Sequence, residues 1–132
     1  MKKKFSTHWK SSKQRRKQRK YLANAPLHIK RKLICSKLSK ELKEKYKIRS
    51  ISLRKGDEVK IMKGKFKGKQ GKINKINTKK MKVYIESIQV KKQDGSKVNV
   101  PLKAPNLEII SLNLDDKKRL NKKTEKNKEN KK

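Results

Sequence analysis

The stretch Leu53-Arg54-Lys55-Gly56-Asp57-Glu58-Val59-Lys60-Ile61-Met62-Lys63-Gly64-Lys65-Phe66-Lys67-Gly68-Lys69-Gln70-Gly71-Lys72-Ile73 decides the fold. Gly56-Asp57 marks a turn into a strand over residues 58–62, in which Val59 and Ile61 alternate with polar neighbours. Gly64 and Gly68 then bracket a loop, residues 63–69, with four lysines and one aromatic, Phe66, expected to be exposed. Glycine at these positions lets the backbone turn with φ > 0 and come close to a partner. Gly71 opens the next strand, where a missing side chain permits a bulge or a tight approach. The loop is not a nucleotide-binding P-loop, because three residues rather than four separate Gly64 from Gly68 and no Gly-Lys-Ser/Thr follows.

Towards the C-terminus the period of two continues. Met81, Val83 and Ile85 alternate with polar residues, followed by Ile88 and Val90, then Val98 and Val100. Asp94-Gly95 between the last two runs is a strong hairpin signal. Leu107, Ile109 and Ile110 supply a final strand, after an irregular connection marked by Pro101 and Pro105. Short strands at this spacing, separated by glycine and charge clusters, predict a mainly β fold, a small antiparallel barrel over residues 51–114. A unit of roughly 60 residues folds alone only marginally, since it buries just about 60% of its unfolded surface. A bound partner would add stability by linkage.

Towards the N-terminus the pattern turns helical and basic. Residues 1–50 hold 19 basic and 2 acidic residues. Ser11 or Ser12 is a candidate N-cap for a helix through residues 13–20, which carry six positive charges in eight positions. So dense a run repels itself and is expected to order only against phosphates. Pro26 suits the first turn of a second helix through about Cys35, with Leu27, Ile29, Leu33 and Ile34 partly on one side. Ser39 caps a third helix over residues 40–46, with Glu41 favourably placed in its first turn. Leu38, Leu42 and Tyr46 form its packing stripe. Residues 115–132, with 9 basic and 4 acidic residues, read as a solvated or RNA-draped tail in which Asp115-Asp116 begin a short helix. The expected layout is a basic arm (1–50), a β domain (51–114) and a basic tail (115–132).

Composition sets the class of partner. The chain of 132 residues has 44 Lys and Arg against 11 Asp and Glu, a net charge of +33, with 30% hydrophobic and 5% aromatic residues. Low hydrophobicity with such charge leaves large parts unfolded until something neutralises them. A polyanion does this with a gain in free energy, by releasing counterions condensed on phosphates. Apolar runs such as Leu33-Ile34-Cys35 fall far short of the roughly 20 residues a membrane span needs. Met1-Lys2-Lys3-Lys4 is followed by no apolar segment, so no secretory signal is expected. One cysteine, Cys35, excludes an internal disulfide and a cysteine-rich zinc site. Its apolar surroundings suggest a small buried residue.

The 53–73 stretch resembles the KOW motif, with Gly71 at that motif's characteristic glycine. The flanks extend the likeness: Lys13-Gln14-Arg15-Arg16-Lys17-Gln18-Arg19-Lys20, then Asn24-Ala25-Pro26-Leu27-His28, then Leu38-Ser39-Lys40-Glu41-Leu42-Lys43-Glu44-Lys45-Tyr46. Together, from about Ser11 to Leu120, they resemble the universal KOW-carrying protein family of the large ribosomal subunit, numbered twenty-four in bacteria and archaea and twenty-six in eukaryotes. The long arm points to the archaeal and eukaryotic branch, and residues 24–28 and 112–116 look more archaeal. Asn74 stands where the family usually carries an apolar residue. The resemblance implies an SH3-like barrel whose extensions thread between RNA helices. It implies a structural, non-enzymatic role in the ribosome of the cytoplasm. The implied partners are the 5′ region of the large-subunit ribosomal RNA, bound early in assembly, and neighbouring ribosomal proteins, near the nascent-chain tunnel exit. No cofactor, metal, membrane or small-molecule substrate is expected.

The candidate RNA-binding residues follow from charge and from that resemblance. In the arm they are Trp9, Lys13, Arg15, Arg16, Lys17, Arg19, Lys20, His28, Lys30, Arg31, Lys32 and Arg49. In the β domain they are Arg54, Lys63, Lys65, Phe66, Lys67 and Lys69, supported by the KOW glycines Gly64, Gly68 and Gly71. Arginine forks onto phosphate and stacks on bases, which favours Arg15, Arg16, Arg19 and Arg31 as ordered contacts. Trp9, near Phe5 and His8, is a candidate stacking platform, against the alternative of packing on protein. Asp57 and Glu58 point to opposite faces of a strand and read as a turn acid and a surface acid, not a catalytic pair. His8 and His28 lack a third ligand at metal spacing. Two rival readings are a free-standing basic RNA or chromatin-binding KOW protein and a KOW-containing elongation factor. The latter needs a polymerase-binding domain for which 132 residues leave no room.

Overall fold

The computed structural model describes residues 5–8, 11–116 and 118–120. The main elements among the described residues are three α-helices, α1 (Arg15–Asn24), α2 (Leu27–Leu33) and α3 (Lys40–Tyr46), a short 3-10 helix at Ala104–Asn106, and eight strands. The strands are β1 (Cys35–Leu38), β2 (Ser50–Ser52), β3 (Glu58–Ile61), β4 (Gln70–Asn77), β5 (Lys82–Ile85), β6 (Gln89–Lys91), β7 (Lys97–Asn99) and β8 (Leu107–Ser111). The fold is mainly β, as the alternation of apolar residues predicts. Six strands form one sheet in the order β2-β1-β8-β3-β4-β5, while β6 and β7 pair separately as a ribbon. All six contribute to a single apolar cluster, from Ile51 on β2 and Leu38 on β1 to Val83 and Ile85 on β5. A sheet whose two ends share one core must curl around it, which is compatible with an SH3-like barrel.

Two expectations need correction. The sheet is mixed rather than antiparallel, since β1 runs parallel to β8. The second helix does not reach Cys35: it ends at Leu33, and Cys35 begins β1, paired on one side with β2 and on the other with β8. The reason is the pattern Ile34, Ser36, Leu38, whose alternate residues are buried; an α-helix would bring them to different faces. A strand from the stretch read as arm is thus built into the β domain.

Other local readings hold in the main, although Leu38 lies on β1 rather than on α3 and neither Ser11 nor Ser12 caps α1. Ser39 caps α3, its hydroxyl accepting from the Leu42 amide at 3.4 Å, and Lys47 ends the helix in the left-handed conformation. Leu38 is fully buried, with Leu42 and Tyr46 packed on the same core. Asp94-Gly95 turns the β6–β7 hairpin, Gly95 taking φ +83° and Asp94 accepting from the amide and hydroxyl of Ser96. Those two donors lower the Asp94 pKa. Around Asn74 the β4–β5 register shifts, so the unexpected polar residue sits at a bulge and is exposed. α1 begins at Arg15 with Gln14 as its cap residue and no side-chain cap bond. The Ser12 hydroxyl instead accepts from the Gln14 amide at 3.3 Å, a turn that competes with capping.

The expected reading of Asp57 and of the tail also changes. Asp57 is completely buried rather than a simple turn acid. Arg119, in the tail, reaches it with two bonds of 2.6 Å, Nη1 to Oδ1 and Nη2 to Oδ2. Arg119 also donates to the carbonyls of Asn113 and Ser52. Asp57 accepts further bonds from the amides of Arg54 (2.7 Å) and Asn113 (3.0 Å). The start of the tail is therefore locked into the domain. Removing one partner of a buried pair costs about 3–5 kcal/mol, because the other charge is left uncompensated. Asp57→Ala and Arg119→Ala are each expected to destabilise the free protein by that order in urea denaturation. The double variant should cost clearly less than the sum of the two.

Candidate nucleic-acid interface

α1 is the most charged element. It carries Arg15, Arg16, Lys17, Arg19 and Lys20, buries no residue and has no acid in its first turn. Three of those cations stand at the positive pole of the helix dipole, where an anion is stabilising and a cation is not. A ten-residue helix that buries none of its residues is marginal in water. Phe5 packs against Tyr21 at 4.8 Å between ring centroids, while the basic part of α1 stays open. Lys13 is exposed. Trp9 lies outside the described residues.

The corner between α1 and α2 is tied down from within. Lys30 is buried, its ammonium donating to the carbonyls of Ala23 (3.2 Å) and Lys79 (3.4 Å). It thus faces protein carbonyls, not solvent. His28, Arg31, Lys32 and Arg49 are exposed.

The loop at residues 63–69 forms a second basic surface. Gly64 and Gly68 both take positive φ, +101° and +88°, as the turn requires. Gly68 donates to the Ile61 carbonyl at 2.8 Å and Ile61 to that of Lys69 at 2.9 Å, closing the loop across β3. Lys63, Lys65, Lys67 and Lys69 all face solvent. Phe66, expected to be exposed, is half-buried against the core, with the Lys69 ammonium 5.5 Å from its ring centroid. The ring anchors the loop from inside because an aromatic gains more from burial than from water. Gly71 is a close-approach site: a Cβ there would lie 2.7 Å from Ile85 Cγ2 and 2.5 Å from Ser87 Oγ.

Acids do little to offset this charge on the outside. Asp57 is held inside by Arg119, Glu108 pairs with Lys37 at 3.4 Å, and Asp116 pairs with Arg54 at 2.8 Å. The Arg54 guanidinium bonded to it lowers the Asp116 pKa. The structure brings Arg31, Lys32 and Arg54 together at the mouth of one cavity, although 22 positions separate Lys32 from Arg54 in the chain. The α1 cations and the 63–69 lysines occupy separate elements.

Residues 12–126 match the model of a ribosomal protein family, described as the eukaryotic L26 proteins and their archaeal counterparts numbered twenty-four. The chain belongs to this family. The match takes in α1, the whole sheet and Arg119, so both arm and tail lock lie inside the region the family shares. Membership makes the chain a structural protein of the large ribosomal subunit, in a family that is not normally enzymatic. Among the described residues no group of three or more His, Cys, Asp or Glu could hold a metal ion, and no helix is long and apolar enough to cross a membrane.

Sequence reasoning missed Arg119. Its signal was weak: one arginine among the lysines of the tail, with a turn acid 62 residues away as partner. For the 63–69 loop, replacing its four lysines with Gln should leave the melting temperature unchanged, since all four are exposed. Each phosphate neutralised contributes about 0.7–0.9 to the slope of log K against log salt. The variant is therefore expected to flatten that slope by up to about 3 in filter-binding titrations with ribosomal RNA.

Proposed function

We propose that this chain binds large-subunit ribosomal RNA as a scaffold that neutralises phosphates and holds RNA segments that would otherwise repel one another. The observation that carries the reading is α1: five cations in ten residues, no buried side chain, no side-chain cap and no acid of its own. Such a helix gains its stability from an anionic partner. Contacts to phosphate and sugar position the protein without reading sequence, and RNA shape and unstacked bases supply specificity.

In this reading the RNA-threading part of the 1–50 arm is the stretch before β1, β1 and α3 join residues 51–114 in the KOW domain, and 115–132 is the tail, anchored at Arg119. The exposed cations of α1, with His28, Arg31, Lys32, Arg49, Arg54 and the 63–69 lysines, are the contact set. Lys30 supports the contact set by fixing the α1–α2 corner. Family membership supports binding to the 5′ region of the RNA early in assembly, a position near the nascent-chain tunnel exit, and residence in cytoplasmic ribosomes beside other large-subunit proteins.

The test is retention on ribosomes. The protein is expected to stay stoichiometric with large subunits through a high-salt wash, whereas loss into the wash would favour a free-standing RNA chaperone. Binding of the isolated chain to ribosomal RNA should weaken steeply with salt. A footprint of about 6–10 phosphates predicts roughly 10³–10⁵-fold loss between about 50 and 200 mM, and a flat profile would contradict the proposal.

A further inference from the structure

Beneath the convergence of Arg31, Lys32 and Arg54 lies a floor of different chemistry. The cavity has a volume of about 450 Å³, inside the range of about 300–1,000 Å³ usual for small-ligand sites. Ile34 and Leu53, 3% and 6% exposed, form its apolar base, and Ile76 on β4 joins them. The Leu53 amide donates to the Ile34 carbonyl at 3.1 Å, so the base is held by backbone rather than by side-chain choice. Ser52 and Thr78 add hydroxyls to the wall. Every charged residue lining the cavity is a cation, and Asp116 holds Arg54 by its guanidinium from outside the lining.

We propose that this cavity receives one unstacked base of a ribosomal RNA strand, with the adjoining phosphates on the Arg31, Lys32 and Arg54 rim. The proposal rests on the RNA-binding reading above and adds to it a defined base site. A free inorganic anion fits poorly, since it would exchange its hydration for an aliphatic floor. An apolar peptide fits poorly too, because it would desolvate three cations without compensation. A nucleotide matches both halves: a flat, weakly polar base for the floor and an anionic backbone for the rim. Arginine forks onto phosphate oxygens in a way lysine does not, and two of the three rim residues are arginines. Serine and threonine hydroxyls either donate or accept, so the wall singles out no base type. RNA recognition elsewhere relies on bases splayed out of the stack in this manner.

The proposal is tested with the full chain and intact large-subunit ribosomal RNA. The complex is irradiated with short-wavelength ultraviolet light, and nucleotide adducts are mapped on the protein by mass spectrometry. Adducts are expected within residues 31–34, 52–54 or 76–78. Thr78→Phe fills the cavity without changing charge, and Lys32→Glu reverses one exposed rim charge without touching the core. Each should lower the adduct yield at those positions roughly tenfold, the equivalent of about 1.4 kcal/mol, while adducts on α1 and the 63–69 loop persist. Adducts elsewhere with none here would overturn the base site and leave RNA binding standing. Undiminished cavity adducts in both variants would overturn it as well. Absence of adducts everywhere, with no retention of the RNA, would overturn the underlying RNA reading and this proposal with it.

Discussion

The carboxylate of Asp57 gathers four hydrogen bonds in a place closed to solvent. Two come from the Arg119 guanidinium at 2.6 Å, one from the amide of Arg54 and one from that of Asn113. Arg119 in turn bonds the carbonyls of Ser52 and Asn113. The turn into β3, the end of β8 and the start of the tail therefore meet at one ion pair. Burying two charges carries a desolvation penalty that only near-complete hydrogen bonding offsets. Here Arg119 Nε is the one buried side-chain polar atom among the described residues without a partner. A domain with so few apolar residues gains from this clasp a fixed closure that its core alone would supply weakly.

This pair ties the start of the tail to the turn before β3 in a chain with a net charge of +33. Four of its acids are engaged: Asp57 inward on Arg119, Glu108 on Lys37, Asp116 on Arg54 and Asp94 in the Ser96 turn. Its cations are left outward, on α1, on the 63–69 loop and around the cavity under α2. The separation ties fold to function: each ion pair uses one acid and one cation, and with 44 cations against 11 acids the remaining field is positive. Such a field draws in phosphate chains, and the family to which the chain belongs is one that works inside a phosphate-rich particle.

Periodicity made much of this legible. The alternation of Val59 and Ile61, and of Val83 and Ile85, named strands whose inward residues are fully buried. Ser39 and Glu41 announced α3, Asp94-Gly95 the hairpin, and Gly64 and Gly68 the positive-φ turns. The interface was legible as charge, because 44 lysines and arginines far outnumber the acids and buried acceptors that could take them inward, Lys30 and Arg119 being the buried exceptions among the described residues. Long-range pairing was not legible. Nothing local says that Cys35 begins a strand parallel to β8, since β1 is only four residues long and follows a helix directly. Phe66 and Lys30 were misplaced because an amphipathic side chain can turn its apolar or its polar end inward, and only the packed neighbours decide which. The cavity was hidden for a related reason: its floor and rim come from α2, β2, β4 and the residues that directly follow them, which only the folded sheet brings together.

The central claim is that the β domain holds itself together while α1 depends on RNA, and amide hydrogen exchange followed by mass spectrometry tests it most directly. In the free protein the amides of β1, β3, β4, β5 and β8 should be protected, and those of α1 should exchange at nearly unfolded rates. Addition of large-subunit ribosomal RNA should then protect α1. Strong protection of α1 in the free protein, or none after RNA binds, would contradict the account.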